Sequence, residues 1–263
     1  MANRRFRWED RIVRARELQD LQPAAAAPLR FYEAVLGFQN TVAHDFKIAA
    51  DSSIPLRAQI ELAFACSKIP ALLALAREHG PDALRRHART LEQAGATRWQ
   101  SLLASVVDGN PSDVGALDGF FARACLQPIA ENLQLQLPAI ANYSQGICPA
   151  CGGAPQAAVL RPEGEGASRW LLCSFCLREW VFRRIVCPWC GEEDKEKLPR
   201  YSAEEYKPIS LEGCDTCKRY LKAVDMTLDG HAEPLVDEAA AAVLDLWAVN
   251  NGYIKIIPNL IGL

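Results

Sequence analysis

Four Cys-x-x-Cys pairs lie within seventy residues of this chain: Cys148/Cys151, Cys173/Cys176, Cys187/Cys190 and Cys214/Cys217. They take eight of its ten cysteines. Two intervening residues let both sulfurs of a tight turn face one centre, and two such turns complete the tetrahedral thiolate cage that zinc or ferrous iron favours. The expectation is two metal ions per chain, iron or zinc, each held by four cysteine thiolates. A closed site of this kind accepts both metals, so the spacing does not choose between them.

The pairs form an internal repeat. Cys148-Pro149-Ala150-Cys151-Gly152 is followed after 21 residues by Cys173-Ser174-Phe175-Cys176, and Cys187-Pro188-Trp189-Cys190-Gly191 after 23 by Cys214-Asp215-Thr216-Cys217. Proline fixes one φ angle in the turn, and the glycine after it accepts the left-handed conformation that aims backbone amides at the sulfurs. This is the knuckle of rubredoxin-like and zinc-ribbon modules. Because the repeat is local, Cys148, Cys151, Cys173 and Cys176 are assigned to a first site and Cys187, Cys190, Cys214 and Cys217 to a second. An interleaved pairing stays open at this stage.

Other uses of the cysteines are weaker. Disulfides need an oxidising compartment, and Met1 to Asp20 is rich in Arg and Glu without the apolar segment of a signal peptide. Arg4-Arg5-Phe6 is similar to the start of a twin-arginine signal, but Trp8-Glu9-Asp10-Arg11 follows where an apolar stretch is required. The expected location is cytoplasmic. Cys187-Pro188-Trp189-Cys190 looks like a dithiol redox site, yet the acidic Gly191-Glu192-Glu193-Asp194 follows instead of a helix start that would depress a thiol pKa.

Half of the 263 residues are apolar, enough for sizeable cores, and no run approaches the roughly 18 apolar residues that span a bilayer, so no membrane insertion is expected. The net charge of −3 argues against a general nucleic-acid binder. Arg178, Arg183, Arg184, Lys218 and Arg219 follow the second and fourth knuckles, where they are expected to offset the formal −2 of a divalent metal with four thiolates, the alternative being a nucleic-acid or partner patch.

Residues 1–145 read as an α-helical domain. Phe31, Ala34, Val35, Phe38 and Val42 form one apolar stripe; Leu56, Ile60, Ala63 and Phe64 repeat it before Pro70, and Leu72, Leu75 and Ala76 resume after it. Leu84, Ala88 and Leu91, then Trp99, Leu102, Leu103 and Val106, continue the pattern between the breakers Gly80-Pro81 and Asp108-Gly109-Asn110-Pro111. A last helix opens at Leu117, Phe120, Phe121 and Ala124, and Pro128 is expected to kink or end it. Cys66 and Cys125 read as small core residues.

Residues 146–184 and 185–263 read as two ribbons. Arg169-Trp170-Leu171-Leu172, Glu179-Trp180-Val181-Phe182 and Tyr220-Leu221-Lys222-Ala223-Val224 are strands, with an exposed hairpin loop over 162–166 and a polar loop over 192–206. A closing helix is expected over about Val236 to Asn251, with Val236, Ala240, Val243 and Trp247 on one face and Gly252 as its stop. The fold class is therefore α+β: an N-terminal helical domain, two tandem rubredoxin-like or zinc-ribbon modules, and a C-terminal helix. His44, His79, His87 and His231 are scattered, with no H-E-x-x-H, nucleophile elbow or phosphate-binding glycine loop, so no enzyme activity is expected.

The knuckles and their flanks resemble the FdhE family of formate dehydrogenase accessory proteins. The resemblance is carried by Cys148 to Gly152, by Arg169 to Cys176 with Glu179-Trp180, and above all by Glu212-Gly213-Cys214-Asp215-Thr216-Cys217-Lys218-Arg219-Tyr220-Leu221-Lys222, which looks like that family's E-x-C-D-x-C-x-x-Y-L-K. Pro234 to Ala239, Leu244-Asp245, Gly252-Tyr253 and Pro258-Asn259 add to it. The resemblance implies a cytoplasmic protein that assists maturation of formate dehydrogenase and associates with its catalytic subunit. An electron-transfer protein of rubredoxin type and a nucleic-acid-binding zinc-ribbon protein are the alternatives, and the oligomeric state is not written in one chain.

Overall fold

The structure is a computed structural model and describes residues 7–109, 114–140 and 143–262. Arg4-Arg5-Phe6 and the Asn110-Pro111 breaker lie outside them. Five helices come first: α1 (Trp8–Leu21), α2 (Ala26–Asp45), α3 (Leu62–His79), α4 (Asp82–Asp108) and α5 (Ala116–Gln136). Among the described residues no helix is long and apolar enough to cross a membrane.

Helix α5 is the centre of this half. Every residue from Gly119 to Glu131 is buried, as expected of a helix packed on all sides. Helix α2 turns Leu29, Tyr32, Val35, Leu36, Gln39 and Val42 inward, which leaves Ala34 and Phe38 of the expected stripe at its margin. Neither proline ends its helix: α3 runs through Pro70 and α5 through Pro128. Leu56, read as the start of α3, belongs instead to a separate 3-10 turn ending at Gln59, and Ile60 after it is extended. In α4 the interruption falls at Gly95, whose φ of 74° only glycine adopts without strain.

The second half is one sheet. Strands β1 (Pro155–Glu163), β2 (Gly166–Cys173) and β3 (Glu179–Val181) come from the first ribbon; β4 (Arg200–Ser202), β5 (Ile209–Cys214) and β6 (Arg219–Asp225) come from the second. Their order is β3-β2-β1-β6-β5-β4, and β7 (Ile254–Lys255) pairs with the start of β6. The joint is the parallel pairing of β1 with β6, with Ala157 opposite Lys222 and Val159 opposite Val224. Each of these strands starts directly after a knuckle, so parallel pairing sets both cysteine clusters at the same end of the sheet.

The closing helix is present as two pieces, α6 (Pro234–Ala240) and α7 (Ala242–Asn250), because Ala241 at φ −85° and ψ 45° leaves the helical conformation. The expected face is broken with it: Val236 and Ala240 are buried, but Val243 and Trp247 are 47% and 37% exposed. Gly252, at φ 80°, ends the element as expected. Helix α6 is clamped to α1 by Arg14, which donates to Asp237 at 2.6 Å and to Asp229 at 2.8 Å. A buried network fixes both pieces on the sheet: Lys222 of β6 pairs with Glu238 and Asp245, Lys255 pairs with the same two carboxylates, and Tyr220 donates to Asp245 at 2.7 Å. Tyr220 and Lys222 of the Tyr-Leu-Lys motif are thus anchors for the C-terminal helices. One core cluster is continuous from Phe121 and Leu126 of α5 to Leu171 and Leu221 of the sheet and Phe175 of the second knuckle.

Candidate metal centres

The turns bring the eight sulfurs together in the two local quartets. In each, the four Sγ atoms lie within 4.8 Å of one another. Cys148 faces Cys176 at 3.5 Å and Cys151 faces Cys173 at 3.4 Å; in the second, Cys187 faces Cys217 at 3.8 Å and Cys190 faces Cys214 at 3.6 Å. A metal about 2.3 Å from four tetrahedral sulfurs sets them about 3.8 Å apart, so both quartets fit such an ion. The interleaved pairing does not occur.

Local backbone geometry explains the spacing. Cys148 N–H donates to Gly153 O at 2.7 Å and Cys187 N–H to Glu192 O at 2.9 Å, while Gly152 N–H and Gly191 N–H close each turn on the carbonyls of Cys148 and Cys187. The residue after the second cysteine is left-handed in all four knuckles: Gly152 (φ 72°), Leu177 (55°), Gly191 (77°) and Lys218 (56°). Two of these are not glycine, and the turn imposes the conformation on them. Amides then point at sulfur, as from Phe175 N–H to Cys173 Sγ at 3.3 Å and Gly153 N–H to Cys151 Sγ at 3.4 Å. Burial pushes the Cys173 and Cys176 thiols up, and that of Cys187 to about 11. Four crowded sulfurs in such surroundings ionise together only around a cation, which is the chemistry of a metal-thiolate site.

The quartets differ in their surroundings. All four cysteines of the first are buried; in the second Cys190 is exposed and Cys217 half-buried. The first is walled in by the helical half: Arg57 Nε donates to Cys151 O at 2.8 Å, Gln127 Nε2 donates to Ser174 O at 2.7 Å, and Arg178 Nη2 donates to Pro138 O. Burial lowers the Arg123 guanidinium, which faces this site, to about 10. Neither Arg57 nor Gln127 stands near a knuckle cysteine in sequence, and no local signal marks them.

The basic residues noted after the knuckles have individual uses. Arg183 pairs with Glu193 and Lys218 with Asp215, whereas Arg219 stacks over Trp189 at 3.9 Å from the ring centroid. Among the described residues no histidine joins either quartet; His87 pairs with Asp118 at 2.7 Å. Cys125 is a buried core residue, and Cys66 is half-buried against the core.

Fold and sites define a helical protein carrying two cysteine-quartet ribbons fused into one sheet. The family description "FdhE, central domain" matches residues 147–184 and "FdhE, C-terminal domain" matches residues 185–261. A "Protein FdhE homolog" of Aquifex aeolicus is 30% identical over 196 residues, 73% of this chain and 68% of the relative. One from Pseudomonas aeruginosa is 37% identical over 129 residues, 46% of this chain and 41% of that relative. The crystal structure of the FdhE protein from Pseudomonas aeruginosa superposes with a TM-score of 0.75 at 25% identity, covering 97% of this chain and 95% of that one. The chain belongs to the FdhE family.

Proposed function

We propose that this chain is a cytoplasmic accessory protein for formate dehydrogenase maturation, binding the catalytic subunit of that enzyme through a metal-stabilised scaffold and turning over no substrate of its own. Its membership of the FdhE family carries the reading. The ligands assigned are Cys148, Cys151, Cys173 and Cys176 for one ion, and Cys187, Cys190, Cys214 and Cys217 for the other, each iron or zinc. The units assigned are 1–145 as the helical domain and 146–184 and 185–263 as the ribbons. A rigid sheet with both clusters at one end suits a binding scaffold, since the metal-thiolate bonds order the loops that a partner would meet. Affinity purification of the tagged full chain is expected to recover the formate dehydrogenase catalytic subunit, with about two metal ions per chain. Absence of that subunit under anaerobic conditions would count against the partner, and a metal content well below two against the sites.

One observation favours a second reading as an electron carrier: the second quartet reaches solvent through Cys190 and Cys217. It requires a reversible potential of the iron-loaded chain in voltammetry. An inert response removes it.

A further inference from the structure

A cavity of about 500 Å³ opens beside the second quartet, with Cys187 and Cys214 in its wall. Glu212 and Leu221, directly opposed on β5 and β6, form part of its lining. Lys222, the next residue along β6, turns to the other face and to α6 and α7. Around the cavity stand five cations, Arg169, Arg184, Lys195, Arg200 and Arg219, against the single carboxylate of Glu212, an excess of four. In a chain of net charge −3 this is a strongly local concentration.

Of the five cations only Arg169 is held closely by a carboxylate, Glu212 at 2.7 Å. Arg200 donates to the Ser210 hydroxyl at 2.8 Å and lies 3.9 Å from Asp225. Arg184 reaches only the Ala167 carbonyl, at 3.3 Å, and Arg219 rests on Trp189. Lys195 forms no ion pair among the described residues. A divalent metal with four thiolates carries −2 and Asp225 beside Arg200 adds one more negative charge, so after offsetting both the cleft keeps one positive charge in excess.

Between the cations the wall is apolar, through Leu160, Leu198 and Ile256, and Ile185 and Trp189 at the cluster end are 51% and 44% exposed. An inorganic anion would use the cations and leave this surface idle. An extended chain with alternating acidic and apolar side chains uses both. The geometry points to a docking cleft for an acidic, leucine-bearing peptide segment of a partner protein, held by Arg184, Lys195, Arg200 and Arg219 next to the second metal site. It rests on the proposed function only in that the partner is a protein.

The test titrates an acetylated, amidated peptide of alternating glutamate and leucine into the metal-loaded full chain by calorimetry. The expected result is one saturable site that weakens at least tenfold when glutamine replaces glutamate, weakens with added salt, and weakens at least tenfold in the Lys195→Glu, Arg200→Glu double variant. Arg86→Glu with Arg89→Glu, exposed on α4, is expected to leave affinity unchanged. Lys195→Glu alone, at an exposed residue, serves if the double variant loses metal; it is expected to cost at least threefold. Equal affinity for the glutamine peptide, indifference to the cleft variants, displacement of the peptide by an equal concentration of inorganic phosphate, or tighter binding of a single-stranded oligonucleotide would each overturn the proposal. Recovery of the formate dehydrogenase subunit by a chain that ignores the peptide sinks the cleft alone. Peptide binding by a chain that recovers no subunit sinks the partner assignment alone.

Discussion

The Arg57 guanidinium, carried by a 3-10 turn of the helical half, donates from Nε to the carbonyl of Cys151 at 2.8 Å and so bonds directly to a knuckle of the first site. Its Nη1 donates to Val106 O at 2.8 Å and Val107 O at 3.0 Å, at the C-terminal end of α4, and its face lies 4.4 Å from the ring centroid of Phe175 in the partner knuckle. One side chain therefore joins a helix end to both halves of a metal site. Arg57→Ala is expected to lower stability by about 3 kcal/mol, since buried carbonyls lose a charged donor, and to hasten release of one metal ion and not the other. Urea denaturation and chelator kinetics measure the two effects; equal acceleration of both ions would contradict the link.

Chelation itself should be ordered. Sulfurs open to solvent admit a competing ligand, so the second quartet, with Cys190 exposed, is expected to release its ion first and the wholly buried first quartet later. Because the core is continuous from α5 into the sheet, only the slow phase is expected to lower the helical signal in circular dichroism. Simultaneous loss of both ions, or of helix with the first, would show the sites to be equivalent.

Neighbouring glycines separate backbone from ligand effects. An added Cβ at Gly152 meets open space, but φ there is 72°, so Gly152→Ala is expected to cost about 1 kcal/mol with metal affinity little changed. At Gly153 the Cβ would lie 3.1 Å from Cys173 Sγ and 3.3 Å from Cys151 Sγ. Gly153→Ala is therefore expected to weaken metal binding at the first site, by competition titration, more than Gly152→Ala does.

Two carboxylates share Arg11. Glu131 receives two bonds, of 2.6 and 2.9 Å, and Glu233 a single one of 3.2 Å. Burial pushes the Glu233 carboxyl from an ordinary 4.5 up to about 7, against the pull of Arg11. A carboxyl that holds its proton more tightly when folded favours the folded state at low pH, and this advantage is lost as pH rises through about 5 to 7. Glu233→Gln cannot lose a proton, so it is expected to gain roughly 2 to 3 kcal/mol relative to the parent chain between pH 5 and pH 8. A difference independent of pH in urea melts would refute the assignment.

Lys222 is fully buried between Glu238 and Asp245. Replacing it with methionine leaves two buried carboxylates with Lys255 as their remaining lysine, an imbalance that costs about 3 to 5 kcal/mol. Lys222→Met with Asp245→Asn should recover part of that loss in the same melts.

The parts legible in the sequence are those whose cause is local. Cysteine spacing with Pro and Gly in the turn carries its own geometry, and the apolar rhythm of residues 31–42 and 84–106 places helices within a turn or so of where they stand. Pro70 and Pro128 do not end their helices, because surrounding packing holds α3 and α5 helical through them. Ala241 gives no sign of breaking a helix; the break follows from docking α6 on α1 through Arg14 and α7 on the sheet through Asp245. Helix α1 buries an arginine, Arg11, on the same face as Trp8, Ala15 and Leu18, which an apolar stripe does not include. Arg57 and the union of β1 with β6 depend on residues dozens of positions apart, which no window of sequence contains.

The meeting of β1 and β6 is heterologous: the first strand of one ribbon joins the third strand of the next, so the two units are related by a step and not by a twofold axis. A stacking rule of that kind has no natural end, and a third ribbon could in principle be added at either side. What closes the series is the shortness of the outer strands, since β3 (Glu179–Val181) and β4 (Arg200–Ser202) offer only three residues each to any newcomer. The pair of ribbons is thus a capped fragment of an open-ended array, and lengthening either outer strand is the change most apt to turn this sheet into a template for fibres.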